Sequence, residues 1–177
     1  MINTIVLHNK STLTKTMTTD EFNKAVDLYS DAVFRFVLRN MKDSEKSHDI
    51  VQDTYEKLWK NHQNVTNEKV KSYLFSTAYH TLIDQVRREK KQASWDEVDF
   101  KAQTYDHGYS DINEILHRAV AQLPEVQRMV VMMRDYEGYS YAEIGEMTGL
   151  NESQVKVYIY RARVFLKNYI GKMEVLV

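Results

Sequence analysis

The sequence predicts an all-α protein made of two small helical domains joined by a flexible acidic linker. Apolar residues recur at intervals of three and four over long stretches, which is the helical period. The 177 residues include one proline and five glycines, so little interrupts these stretches. We expect domains at residues 20–91 and 111–172, a flexible N-terminal segment at 1–19 and the linker at 92–110.

Three helices are predicted for the first domain. Thr19 or Asp20 is expected to cap a helix that runs to about residue 41, and Ser44 or Ser47 to start the second. Loop-forming residues fill 61–67, and a third helix follows over about 68–91. The positions expected to face a shared core are Phe22, Val26, Tyr29, Val33, Phe36, Val37, Ile50, Val51, Thr54, Leu58, Trp59, Leu74, Phe75, Ala78 and Leu82.

The second domain carries stronger start and stop signals. A helix from Asp111 to Leu123 opens it, and Pro124 suits the first position of the next helix, which Gly138 ends. Residues 140–143 (Ser-Tyr-Ala-Glu) form a capping-box pattern that starts a short helix at residue 141. Gly149 can turn the chain sharply. Asn151 then caps a long last helix.

The last helix has one apolar stripe and one polar, cationic face. Val155, Ile159, Ala162 and Leu166 repeat at helical spacing and are expected to pack inward. A short helix, a tight turn and a helix with a free cationic face are typical of helix-turn-helix DNA binding. An ordinary surface helix with a solvated basic face is the alternative. The candidate DNA-contacting residues are Ser153, Gln154, Lys156, Tyr160, Arg161 and Arg163.

Two further clusters lie in the first domain. The second helix carries Asp49, Gln52, Asp53 and Glu56 on one face, which suits docking of a basic partner, although a solvated acidic face is the simpler alternative. On the third helix, aromatic residues stand before a basic cluster, as single-stranded nucleic acid binding requires. The alternative is that most of these rings are core, which we expect for Phe75.

Composition excludes other classes of protein. Without cysteines there are no disulfides or thiolate metal sites, and the six histidines lack zinc-binding spacing, so no metal or cofactor is expected. No phosphate-binding or nucleophile motif suggests an enzyme. The N-terminal apolar run is too short for a signal peptide or membrane span, so we expect a cytoplasmic protein without membrane insertion. The net charge of −1 is low for a protein that binds DNA unaided.

These blocks resemble a known family. Residues 49–59 followed by 73–88 look like region 2 of a bacterial sigma factor, and residues 123–145 with 155–163 look like region 4. A chain with only these two regions is similar to the extracytoplasmic-function (ECF) group of the sigma-70 family. The resemblance covers about residues 20–169.

The resemblance implies the function of an RNA polymerase sigma factor, with core polymerase and promoter DNA as partners. The acidic face of the second helix would dock on the β′ clamp helices, with further contact to the β subunit, and the last helix would read the −35 element. An anti-sigma factor is implied as a further partner. The residues that would capture the −10 element are Asn64, Lys71, Tyr73, Tyr79, His80, Arg87 and Arg88.

Two departures from the family concern DNA contact. Many relatives have asparagine where His80 stands, and Ser-Arg where Val157 and Tyr158 stand, so the promoter sequence does not carry over. Two other functions stay open on the residues alone. One is a free-standing helix-turn-helix regulator with an N-terminal interaction domain, and the other is an adaptor that does not touch DNA.

Overall fold

The structure, a computed structural model, describes residues 17–93 and 111–174. Within these ranges the chain is all-α, as predicted, and a 3-10 helix at Asn67–Lys69 precedes the third helix. The expected linker and most of the expected N-terminal segment lie outside the described residues. The helices are α1 (Thr19–Met41), α2 (Ser44–Lys60), α3 (Val70–Ala93), α4 (Asp111–Ala121), α5 (Glu125–Asp135), α6 (Tyr141–Thr148) and α7 (Glu152–Glu174).

The cap of α1 lies one residue before the nearer of the two predicted caps, whereas α2 begins at a predicted position. Thr18 caps α1: its hydroxyl accepts from the backbone N–H of Glu21, whose carboxylate accepts from the N–H of Thr18. The predicted caps Thr19 and Asp20 were wrong because a capping box needs its glutamate three residues after the cap. Asp43 caps α2, so Ser44 is the first helical residue. Ser44 was one of the two predicted starts of this helix.

The first bundle packs α1, α2 and α3 around the predicted apolar stripes. Val33, Val37, Leu58, Leu74 and Leu82 are all fully buried. Phe75 is also core, as expected. Trp59 was wrong as a core residue: it is 43% exposed and lies with one face against His62, with ring centroids 5.2 Å apart, at the end of α2.

The second bundle contains α4 to α7 and follows its capping signals closely. The capping box of Ser140 with Glu143 is formed, and Gly149 ends α6 in the left-handed conformation with φ of +74°. Gly145 allows the turn to close, because a Cβ there would lie 2.8 Å from the carbonyl oxygen of Leu150. Pro124 was expected at the first helical position, but it is the cap residue and α5 begins at Glu125.

The two bundles pack against each other and share one continuous core, where separate cores were expected. Helix α3 lies against α6, and α1 lies against α5. Phe75 of the first bundle meets Tyr139 of the second edge to face, with ring centroids 5.7 Å apart. The Ser76 hydroxyl donates to the carbonyl oxygen of Met147 at 2.9 Å. One face of α3 is therefore covered by the second bundle.

Candidate protein and nucleic-acid interfaces

The acidic face of α2 is open to solvent. Asp49, Gln52, Asp53 and Glu56 are all exposed, because the opposite side of the helix carries the buried residues, Ile50 and Leu58 among them. Glu56 pairs with Lys60 one turn on, and this hydrogen bond lowers the pKa of the Glu56 carboxyl. Asp49 and Asp53 form no ion pair with any described residue. Their carboxylates therefore remain available to a cationic partner.

The residues expected at the −10 element do not form one surface. Tyr73, His80 and Arg87 are spaced by seven residues, so they share one side of α3 over about 21 Å. His80 and Arg87 are exposed, and Tyr73 is half-buried, with its hydroxyl donating to the carbonyl oxygen of Lys57 at 3.3 Å. Arg88 is exposed on the neighbouring side of the helix.

Lys71 and Tyr79 lie on the side of α3 that the second bundle covers. Tyr79 is 5% exposed, and its burial raises the pKa of the phenol. The Lys71 ammonium is 3.3 Å from the Glu137 carboxylate, donates to the Glu137 carbonyl oxygen, and lies 4.9 Å from the ring centroid of Tyr139. A nucleic acid could contact Tyr79 only after the bundles separate, whereas the Lys71 side chain is 33% exposed and would have to exchange its contacts with Glu137 for a phosphate.

Asn64 belongs to the loop before α3 and is held by its neighbour. Its side-chain amide donates to the side-chain oxygen of Asn61 at 2.7 Å, and the Asn61 amide in turn reaches the Tyr73 hydroxyl at 3.5 Å. Asn64 remains exposed. The loop therefore presents an ordered amide beside the Tyr73 end of the α3 face.

The predicted recognition helix α7 exposes every candidate on its outer side. Gln154 closes a capping box with Asn151: its backbone N–H donates to the Asn151 side chain at 2.8 Å, and its own side chain accepts from the Asn151 N–H. Lys156 pairs with Glu152 at 2.6 Å. Arg161 makes no ion pair with any described residue. Ser153 and Tyr160 are also exposed.

Arg163 is the candidate whose charge is already engaged. Its guanidinium makes two hydrogen bonds to the carboxylate of Asp135 at the end of α5, one of them from Nε at 3.1 Å. This pairing raises the pKa of Arg163. Sequence reasoning missed it because the two residues are far apart in the chain. Arg163 therefore serves to join α7 to α5, whatever else it contacts.

A buried polar contact joins the bundles, and sequence reasoning missed it as well. Arg128 of α5 is 5% exposed, and its Nε donates to the side-chain oxygen of Asn40 on α1 at 2.9 Å. Another guanidinium nitrogen donates to the Asn40 carbonyl at 3.4 Å, and a third to the carbonyls of Ala121 and Leu123. Burial lowers the pKa of Arg128.

Within the two described ranges, no group of three or more metal-ligating side chains comes together. None of the helices described is both long and apolar enough to span a membrane.

Comparison with known proteins identifies both halves of the chain. A family model for sigma-70 region 2 matches residues 25–92, and a model for sigma-70 region 4 matches residues 113–166. The RNA polymerase sigma factor SigV of Bacillus subtilis is 28% identical over 144 residues, covering 80% of this chain and 86% of that protein. The ECF RNA polymerase sigma factor SigM of the same organism is 27% identical over 157 residues, covering 85% and 94%.

Among solved structures, the chain is similar to the sigma factor RpoE of Bartonella quintana, which was solved in complex with the anti-sigma factor NepR. The TM-score is 0.76 at 22% identity, and the match covers 86% of this chain and 98% of that one. This likeness shows a common fold that extends over both bundles.

Proposed function

The chain belongs to the sigma-70 family, in its extracytoplasmic-function group, and from this premise we propose how it directs core RNA polymerase to promoters. Residues 20–91 act as region 2 and residues 111–172 as region 4, with 1–19 as an N-terminal segment and 92–110 as the linker. The observation that carries the proposal is that one chain exposes an acidic helix face in the first bundle, where Asp49 and Asp53 make no ion pair with any described residue, and a cationic helix in the second.

The acidic face of α2 is the anchor on core polymerase, where it meets the β′ clamp helices, and the β subunit provides further contact. Asp49 and Asp53 supply the charge, since Glu56 is already paired with Lys60. Gln52, between them on the same face, adds an amide that can donate and accept hydrogen bonds. Charge complementarity of this kind favours rapid and correctly oriented association.

The outer side of α3 captures the unpaired strand of the −10 element. Tyr73 and His80 offer rings on which bases can stack, and Arg87 and Arg88 offer charge to the phosphates. Asn64, from the preceding loop, adds a hydrogen-bonding amide near Tyr73. Tyr79 joins this surface only after the two bundles separate, because the second bundle covers it, and Lys71 joins it by giving up its ion pair with Glu137.

Helix α7 reads the −35 element from the major groove. Ser153 and Gln154 stand in its first turn, where a recognition helix reaches base edges. Lys156 and Arg161 flank the outer face and can meet phosphates or a guanine. Arg163 contributes first to holding α7 against α5, since Asp135 already occupies its guanidinium.

The chain itself catalyses no reaction; the polymerase it recruits makes the RNA. We place it in the cytoplasm, where core polymerase and promoter DNA are found. A regulatory partner follows by analogy with RpoE, which was solved bound to NepR. An anti-sigma factor that binds both bundles at once would hold this chain away from polymerase.

The test compares promoter binding with and without core polymerase. The net charge of −1 provides little non-specific DNA affinity, so the isolated chain should bind promoters weakly. Addition of core enzyme should produce a specific mobility shift and permanganate-reactive thymines at the −10 element. Tight, specific binding by the isolated chain that polymerase does not change would replace this proposal with the free-standing regulator.

A further inference from the structure

Helix α7 carries an exposed apolar stripe at the centre of its outer face. Successive residues are rotated by about 100° around a helix, so Val157, Tyr160 and Val164 fall on the side opposite the buried Val155 and Ile159. Their exposed fractions are 43%, 69% and 40%. Exposed apolar side chains in a row of this kind indicate a surface that is covered in the functional state.

Cationic residues border the stripe on both sides. Lys156 and Lys167 lie along one edge of the outer face, and Arg161 lies along the other; all three are exposed. A helix in the major groove meets phosphates at its edges and base edges along its centre. The arrangement of charge at the borders and apolar atoms between them therefore fits DNA better than it fits an apolar protein helix.

The apolar group that the major groove offers is the 5-methyl of thymine. Val157 is in the second turn of α7, which begins at Glu152, and thus within the N-terminal part that reaches base edges. Val164 is about 10 Å farther along the axis, beyond that part. Tyr160 lies three residues from Val157, so the two side chains are neighbours on the helix surface.

We propose that Val157, with the Tyr160 ring beside it, contacts the 5-methyl group of one thymine in the −35 element and makes thymine the preferred base there. This inference rests on the proposed function and adds a specificity-determining residue to it. Tyr160 was a candidate contact residue from the sequence, whereas Val157 was noted there only as a departure from the family.

The experiment removes the methyl group alone. Holoenzyme reconstituted with the full chain first selects its preferred −35 sequence from a randomised pool. Each thymine of that sequence, on either strand, is then replaced singly by deoxyuridine, which pairs identically but lacks the methyl. Competition binding is measured for the natural chain, for Val157→Ala and for Val164→Ala, the same change two turns away.

One thymine position should stand out. Loss of one buried methyl contact there should weaken the natural holoenzyme about fourfold. Val157→Ala holoenzyme should bind the thymine and deoxyuridine promoters equally at that position, whereas Val164→Ala should keep the natural preference. Alanine favours helix, so unchanged circular dichroism is expected for both variants.

Three results would overturn the inference. The selected element could lack thymine, or Val157→Ala holoenzyme could remain as sensitive to deoxyuridine as the natural one at every position. The third is that Val157→Ala weakens binding of a protein partner and leaves every base preference unchanged, which would make the stripe a protein-docking surface. In each of these three results the holoenzyme still binds promoters specifically. If the proposed function itself were wrong, the holoenzyme would select no sequence from the pool, so the two kinds of failure can be told apart.

Discussion

Replacement of Asn40 by alanine is expected to destabilise the contact between the two bundles. The Asn40 side-chain oxygen accepts from Nε of Arg128 at 2.9 Å, and both residues are buried. Asn40→Ala leaves this N–H of a buried cation without its partner. A hydrogen bond to a charged group contributes about 1.5–3 kcal/mol, so the free energy of unfolding should fall by about 2 kcal/mol.

The assay is urea denaturation followed by circular dichroism, with the free energy extrapolated linearly to water. In a thermal scan, the same loss corresponds to a decrease in Tm of about 4–8 °C for a chain of this size. Asn23→Ala is the matched control, because Asn23 is on the same helix α1 but exposed, where alanine should be neutral or slightly stabilising.

A double-mutant cycle isolates the contact. Arg128→Ala alone should cost more than Asn40→Ala, since it also releases the carbonyls of Ala121 and Leu123. The coupling energy between positions 40 and 128 should be about 1–2 kcal/mol. A coupling energy near zero, with Asn40→Ala as stable as Asn23→Ala, would refute the packed arrangement of the bundles in solution.

Three further predictions concern charge. Asp49→Lys with Asp53→Lys should weaken core polymerase binding at least tenfold in a titration, whereas Asp31→Lys on α1 should not; equal affinities would remove α2 as the anchor. Arg161→Ala should cost about 1–3 kcal/mol of promoter binding free energy. If Arg161 reads a guanine, the loss should depend on the identity of one base pair; if it meets a phosphate, the loss should be the same on every promoter and the salt dependence of binding should decrease. Unchanged affinity on every promoter would exclude Arg161 from the DNA contact. Hydrogen bonds from its capping serine lower the pKa of the Glu143 carboxyl in the folded state, so the carboxylate stabilises the fold above its unfolded-state pKa and loses this effect as the pH falls through its folded-state pKa. Glu143→Gln should therefore make the free energy of unfolding less dependent on pH in the acid range, and an unchanged pH dependence would contradict this.

Local signals in the sequence predicted the second bundle well because they act within a few residues. A capping box joins residues three apart, and a left-handed glycine stops a helix by itself, so Ser140, Gly149 and Asn151 placed α6 and α7 correctly. At α1 the prediction named Thr19 or Asp20 from residue type alone, whereas the capping box is formed by Thr18 with Glu21.

Contacts between distant residues could not be predicted in the same way. Asn40 and Arg128 are 88 residues apart, and nothing near either one marks it as buried. An arginine on a helix is ordinarily a surface residue. Trp59 failed for a related reason: the helical period placed it next to the core stripe, but α1 and α3 leave that end of α2 partly uncovered. The exposed faces of α2 and α7, by contrast, were predictable because the helical period alone determines which residues face away from the core.

The packing of the second bundle over the buried Tyr79 also has a thermodynamic consequence for strand capture. A strand that contacts this side chain binds only molecules in which the second bundle has moved away from α3. Its apparent dissociation constant is then the intrinsic constant divided by the fraction of such molecules. If about one molecule in a hundred is separated, about 2.8 kcal/mol of binding free energy is lost. Any protein that holds the two bundles apart would recover that affinity without touching a single base.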